Sequence, residues 1–181
     1  MKTSIFPFVF IISLIFNTNT SAGIGPDDKV EKIDSFPYLY NYQNLYIGGQ
    51  PTIEELRWLK SRGIKKIINL RSESENKEYS EYAYNEQYLV KELGFEYSSI
   101  PVNGAKDYTP GKLEAISVQM NANDKILLHC RTAGRATQFF MAYLVEYRGY
   151  SVGEAVAIGR KINYIVPLEQ ILDTQIIMDK K

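Results

Sequence analysis

Histidine and cysteine each occur once in this chain of 181 residues, side by side at His129 and Cys130, with Arg131 and Arg135 close behind. A thiolate is a nucleophile, and a guanidinium fork holds two oxygens of a phosphate-like anion. Together these residue types can present an oxyanion to a sulfur. The stretch "ILLHCRTAGRAT", residues 126 to 137, puts the pair after an apolar run and ahead of a helical pattern, so "CRTAGR" reads as a strand-to-helix turn. In such a turn the backbone N–H groups of Arg131, Thr132, Ala133, Gly134 and Ala136 converge, and the helix N-terminus adds about half a positive charge. The same field favours thiolate over thiol at Cys130. Arg135 comes back toward the loop centre, and Thr132 or Thr137 can give a hydroxyl hydrogen bond to the sulfur. His129 is expected to orient the loop, because a nucleophile already ionised needs no base. A free cysteine at a strand end is commonly just a small buried residue. Here histidine, cysteine and two arginines together are a costly set to place for packing alone. If Ala133 must adopt a positive φ in this turn, the cost is roughly 1 kcal/mol.

The elements that must hold this loop are legible around it. "LYIGGQP" is a short strand ended by Gly48 and Gly49, "TIEELRWLKSRG" a helix with Thr52 and Glu55 at capping-box spacing and Gly63 as its stop, and "IKKIINLR" a buried strand. "YSEYAYNEQYLVKELG" predicts one helix stopped by Gly94, "FEYSSIPV" a strand, and "TPGKLEAISVQMN" a helix capped by Thr109 that leads into "DKILLHC". After the thiol, "TQFFMAYLVEYRG" and "SVGEAVAIGRKI" are helices, the second with Ser151 and Glu154 at capping-box spacing, and "PLEQILDTQIIMDKK" predicts one more. Strands alternating with helices predict a single α/β domain with a mainly parallel central sheet flanked by helices.

Cys130 then lies at the carboxyl edge of that sheet, where ligands of such folds bind. Arg71, ending "IINLR", emerges at the same edge and either binds substrate or pairs with Glu73. Gln50 is a rim candidate, and the acidic run "SESENKEYSE" reads as a solvated loop and helix start.

Lys2, the apolar run Ile5 to Phe16 and the small residues Thr20-Ser21-Ala22 form a secretory signal pattern, too short for a confident span of about 20 residues. Residues 1–22 are expected to be a signal peptide, 23–42 an arm whose alternating Tyr38, Tyr40 and Tyr42 suit an edge strand, and 43–181 the domain. The protein is expected to be exported, periplasmic or secreted, without stable membrane insertion. Lys plus Arg and Asp plus Glu balance at 21 each, which argues against a nucleic-acid partner. A lone cysteine forms no internal disulfide, and one histidine with one cysteine falls short of a zinc set, so neither metal nor cofactor is expected.

Beyond the loop, "LYIGGQPTIEELRWLKSRGIKKIINLR", "GFEYSSIPVNG" and "LLHCRTAGRAT" together resemble the cysteine-dependent phosphatases, the protein tyrosine and dual-specificity superfamily. Within it they are most similar to the phosphatase-like domain of bacterial beta-lactamase-hydrolase-like proteins. The resemblance covers roughly residues 43 to 147. It implies a phosphocysteine on Cys130, phosphoryl oxygens bound by Arg135 and the loop amides, and a phosphorylated protein or small phosphomonoester as substrate. It also implies an upstream aspartate as general acid. Asn103 occupies the first place to look, and Asp107 four residues on is either that acid or a solvated loop charge. Such phosphatases place five residues between cysteine and arginine, and here there are four. The shorter spacing resembles the rhodaneses, so sulfur transfer through a Cys130 persulfide is the alternative, and a weakly catalytic anion- or partner-binding protein a third.

Overall fold

Ile126, Leu127, Leu128 and His129 are all buried and form an inner strand of a six-stranded sheet. The computed structural model describes residues 29–120, 124–163 and 168–174. Its strands are β1 (Val30–Lys32), β2 (Leu39–Tyr42), β3 (Leu45–Gly48), β4 (Lys66–Asn69), β5 (Glu96–Ser99) and β6 (Ile126–His129), in the order β1-β2-β3-β6-β4-β5. The four strands from β3 to β5 run parallel, and β1 and β2 add antiparallel at one edge. The helices are α1 (Ile53–Ser61), α2 (Glu73–Tyr82), α3 (Glu86–Glu92), α4 (Pro110–Gln119), α5 (Gly134–Arg148), α6 (Val152–Gly159) and α7 (Glu169–Leu172). This is the α/β architecture expected from the alternation of elements.

Successive residues of a strand face opposite sides, and the two cores follow that rule. Ile47, Ile68 and Leu128 join Phe139 and Phe140 of α5 on one face, while Ile67 and Leu127 pack with Leu56, Leu59 and Val90 of α1 and α3 on the other. Both faces are covered, which is why these strands read as apolar runs rather than alternations. The register sets Gly48 of β3 and Asn69 of β4 level with His129. Three strand ends therefore meet where the catalytic candidates start.

Helix punctuation follows local chemistry. Gly63, Gly94 and Gly149 end helices with φ of 81°, 76° and 73°. Ser151 and Glu154 complete a reciprocal capping box, and Thr52 accepts from the Glu55 amide at 3.1 Å.

Four expectations need correction. The tyrosine strand β2 is not itself the sheet edge, because β1 from the same arm lies outside it. Tyr42 instead points into the core, and its hydroxyl sits 2.9 Å from that of Tyr150. The single helix expected up to Gly94 is two. Tyr84 between them donates its hydroxyl to the Pro51 carbonyl, and Asn85 restarts the helix by accepting from the Tyr88 amide at 3.0 Å. The acidic run is α2 itself, begun by a full capping box of Ser72 and Glu75. Of the last helix expected, the described residues hold one turn, Glu169–Leu172, closed by Asp173 at positive φ, and residues 175–181 lie outside them. The signal segment, residues 1–22, lies outside the described residues.

Candidate active site

The loop leaving β6 is pinned from outside, one carbonyl at a time. The Arg131 carbonyl accepts from the Gln50 amide at 3.0 Å, that of Thr132 from Asn163 Nδ2 at 2.6 Å, and that of Ala133 from the amide and hydroxyl of Thr137, both at 2.8 Å. In a trans peptide the N–H opposes the preceding C=O, so this anchoring turns the amides of Thr132, Ala133 and Gly134 away from those partners. Among the described residues no acceptor takes the amides of Arg131, Thr132, Ala133, Gly134 or Arg135. The first turn of α5 also lacks a side-chain cap, so its orphan donors add to the set. Ala133 makes the turn possible at φ 66° and ψ −13°. That left-handed state costs an L-residue about 1 kcal/mol, and the two bonds from Thr137 hold it there. Thr137 therefore serves the loop backbone and not the sulfur, which leaves Thr132 as the hydroxyl beside the cavity.

That cavity measures about 210 Å³ and is lined by Tyr108, Cys130, Arg131, Thr132, Gly134, Arg135 and Gln138. Cys130 is 2% exposed, so its sulfur is a floor rather than a rim. Ala136, next along α5, is buried beneath the turn. Tyr108 forms the opposite wall, its ring stacked on Phe139 with centroids 5.6 Å apart and planes at 8°.

Arg135 is held in a bidentate fork by Glu75: Nη1 donates to Oε2 and Nη2 to Oε1, each at 2.7 Å. Nη1 also donates to the Val102 carbonyl at 2.9 Å. Burial works to lower the Arg135 pKa, but the Glu75 carboxylate and Cys130 outweigh it and push it up. Burial likewise works to raise Glu75, yet Arg135 and the Ser72 amide hold it down at about 2 against an ordinary 4.5. The guanidinium is thus permanently charged and aimed before any ligand arrives. Arg131, in contrast, is exposed and has no partner among the described residues.

Other sequence candidates are placed differently. Arg71 does not line the cavity and does not pair with Glu73. It is buried, donating to Gln50 Oε1 and to the Glu75 carbonyl, with its guanidinium 4.9 Å from the Tyr79 ring centroid. It braces the segment that delivers Glu75. Asp107 ends a 3₁₀ turn (Ala105–Asp107), and its Oδ2 accepts from the Asn103 amide at 2.6 Å. It sits one residue before the cavity wall. Behind the loop, His129 is fully buried, its Nε2 2.9 Å from Glu86 Oε1.

Glu75, Glu86, Tyr108, Gln138 and Asn163 were not anticipated as site residues. The S-x-x-E spacing of Ser72 and Glu75 marks a helix start, but nothing local in it names an arginine partner 60 residues away.

A buried thiol beneath free loop amides, with an arginine fork above it, is what an oxyanion requires. Residues 29–164 match the family model described as "DSP-PTPase phosphatase fused to NAD+ kinase". The chain belongs to this phosphatase family. Solved structures of phosphatases share its fold. The chain is similar to a putative phosphatase (DUF442) from Shewanella putrefaciens CN-32, at 23% identity and TM-score 0.53, covering 72% of this chain and 84% of that one. It is also similar to TpbA of P. aeruginosa, solved as a cysteine-to-serine variant in complex with pTyr, at 15% identity and TM-score 0.56 over 75% and 79% of the two chains. PTPMT1 in complex with PI(5)P matches at 19% identity and TM-score 0.58 over 71% and 88%. No curated protein matches the chain. Among DSP-PTPase phosphatases the nucleophile is a cysteine, and this chain has only Cys130 to offer.

Proposed function

We propose that this protein hydrolyses phosphomonoesters through a covalent phosphocysteine on Cys130. The observation that carries the reading is the buried sulfur at the floor of a cavity whose walls supply unpaired amides and the Arg135 fork. The phosphoryl oxygens take the amides of Thr132, Ala133 and Gly134 and the outer face of Arg135, whose strength in a water-poor site comes from being oriented beforehand. The Cys130 thiolate attacks phosphorus, an S–P bond forms and the bond to the leaving oxygen breaks. Asp107 donates the proton that the leaving oxygen needs once its short turn closes over the ester, a contribution typically of 10²–10⁴-fold. Water then attacks phosphorus, which releases inorganic phosphate and returns the thiolate.

The substrate class is a phosphorylated protein or a small phosphomonoester, as with the relatives solved with pTyr and PI(5)P. The signal pattern in residues 1–22 supports an exported enzyme. The lone thiolate then needs a reductant to escape sulfenic acid.

The test is hydrolysis of an aryl phosphate by the reduced protein. Wild type turns over, Cys130→Ser abolishes turnover, and Asp107→Asn lowers kcat about 10²-fold. A persulfide on Cys130 after thiosulfate, with no phosphate release, would transfer the chemistry to sulfur. That reading rests on the four residues between Cys130 and Arg135.

A further inference from the structure

Gln50 lies two residues beyond β3, and three other segments of the chain hold it. Its backbone N–H donates to the Arg131 carbonyl of the catalytic loop at 3.0 Å. Its side-chain Oε1 accepts from Arg71 Nη1, and its Nε2 donates to Glu86 Oε2 at 3.2 Å. A flipped amide would set nitrogen against the guanidinium and oxygen against the carboxylate, so one orientation alone satisfies both ends. Sheet order explains the reach. Because β6 lies between β3 and β4, a side chain following β3 must cross two strand spacings, roughly 9–10 Å, to meet one following β4. Gln50 and Arg71 close that span together, across the end of β6.

Arg71 passes the contact on. It is buried, and no carboxylate pairs with it among the described residues. Nη2 donates to the Glu75 carbonyl at 2.9 Å, Nε has no hydrogen-bond partner among the described residues, and the Tyr79 ring covers the guanidinium at 4.9 Å from its centroid. Gln50 Oε1 is thus one of two acceptors that the described residues give this cation. Removing it would strand buried donors, which costs more than the bond itself. Helix α2 has little else to fix it, since none of its residues is buried. Its first turn is set by polar ties: the Ser72 cap, the bond from Asn69 to Asn76, and the bond from Arg71. That turn carries Glu75, and Glu75 aims Arg135.

We propose that Gln50 is a positioning residue for the oxyanion cup: its backbone N–H holds the catalytic loop while its side chain acts through Arg71 and Glu75 to set Arg135, so both halves of the cup are keyed to one residue. A substitution at this position separates the two ties, because the backbone tie survives it and the side-chain tie does not.

A crystal structure and a double-mutant cycle test this. Gln50→Met keeps the side-chain length and removes both of its hydrogen bonds. Its crystal structure should show the Arg135–Glu75 fork displaced and the bond from the residue-50 amide to the Arg131 carbonyl intact. Orthovanadate should inhibit aryl phosphate hydrolysis with a Ki about tenfold higher in Gln50→Met than in wild type. In a Glu75→Gln background the same substitution should change Ki by less than about twofold, because the path it acts through is already broken. A folding defect alone lowers the active fraction and leaves Ki unchanged. An unchanged Ki, an equal rise in both backgrounds, or a fork that keeps both 2.7 Å contacts in Gln50→Met overturns the proposal. If Gln50→Met does not fold, Gln50→Asn, one methylene shorter, takes its place in both arms. Only the inhibition arm rests on the phosphatase reading. Absence of hydrolysis by the wild type defeats that reading, and the crystal structure still judges Gln50.

Discussion

Arg135 and Glu75 meet in a parallel fork, two N–H···O contacts of 2.7 Å between the first turn of α5 and the first turn of α2. The carboxylate neutralises the guanidinium's charge on one side and fixes its plane.

Replacing Glu75 with Gln should therefore cost both alignment and acid resistance. Its folded pKa of about 2 lies below the ordinary 4.5, so its contribution is present above pH 4.5 and is lost as pH falls toward 2. After allowance for solvent screening the difference is on the order of 2 kcal/mol. Urea unfolding at a series of pH values should show the wild type losing more stability than Glu75→Gln across that window. kcat/KM at pH 7 should drop by roughly tenfold or more, as expected when an aligned charge-assisted pair is broken.

Glu55 should behave in the opposite sense. Burial raises it to about 7, so the folded chain keeps a proton that the unfolded chain gives up above 4.5, and stability falls as pH rises from 4.5 to 7. Glu55→Gln should be more stable than wild type by on the order of 2 kcal/mol at pH 8 and equal to it at pH 4. Melting curves of the two proteins that stay parallel across this range would contradict the assignment.

Gly49 is where β3 touches the catalytic loop. A Cβ there would lie 3.0 Å from the Arg131 carbonyl oxygen and 3.0 Å from Tyr38 Cβ. Backbone at that distance cannot yield without moving the loop. Gly49→Ala should destabilise by about 1–3 kcal/mol and reduce kcat/KM severalfold. Thermal melting with an aryl phosphate assay measures both.

Arg131 is the cation at the cavity that no protein carboxylate neutralises among the described residues. It should attract anionic substrate through solvent. Arg131→Gln should raise KM about fivefold at low ionic strength, with little difference left near 1 M salt, where the screening length is about 3 Å. A salt-independent change in KM would assign Arg131 a direct contact instead.

Much of the site was legible because its rules are local. An apolar run ending in His129 and Cys130, a turn, and a helical stripe from Thr137 define a strand, a cup and a helix within a dozen neighbours. The helix stops at Gly63, Gly94 and Gly149 were readable for the same reason, since backbone sterics act within one or two residues. The break at Tyr84 was hidden because its cause is a hydroxyl bond to Pro51, 33 residues away.

The order of residues already nominates the atoms proposed for the chemistry, a single thiol ahead of a helix and an arginine five positions later. What supports those atoms is settled only by the folded chain. Glu75 reaches Arg135 and Glu86 reaches His129 because the crossovers set β6 between β3 and β4, bringing their carboxyl ends and the helices that follow β4 to one edge. A side chain's type limits the partners it can accept, but which partner arrives is set by the path of the chain.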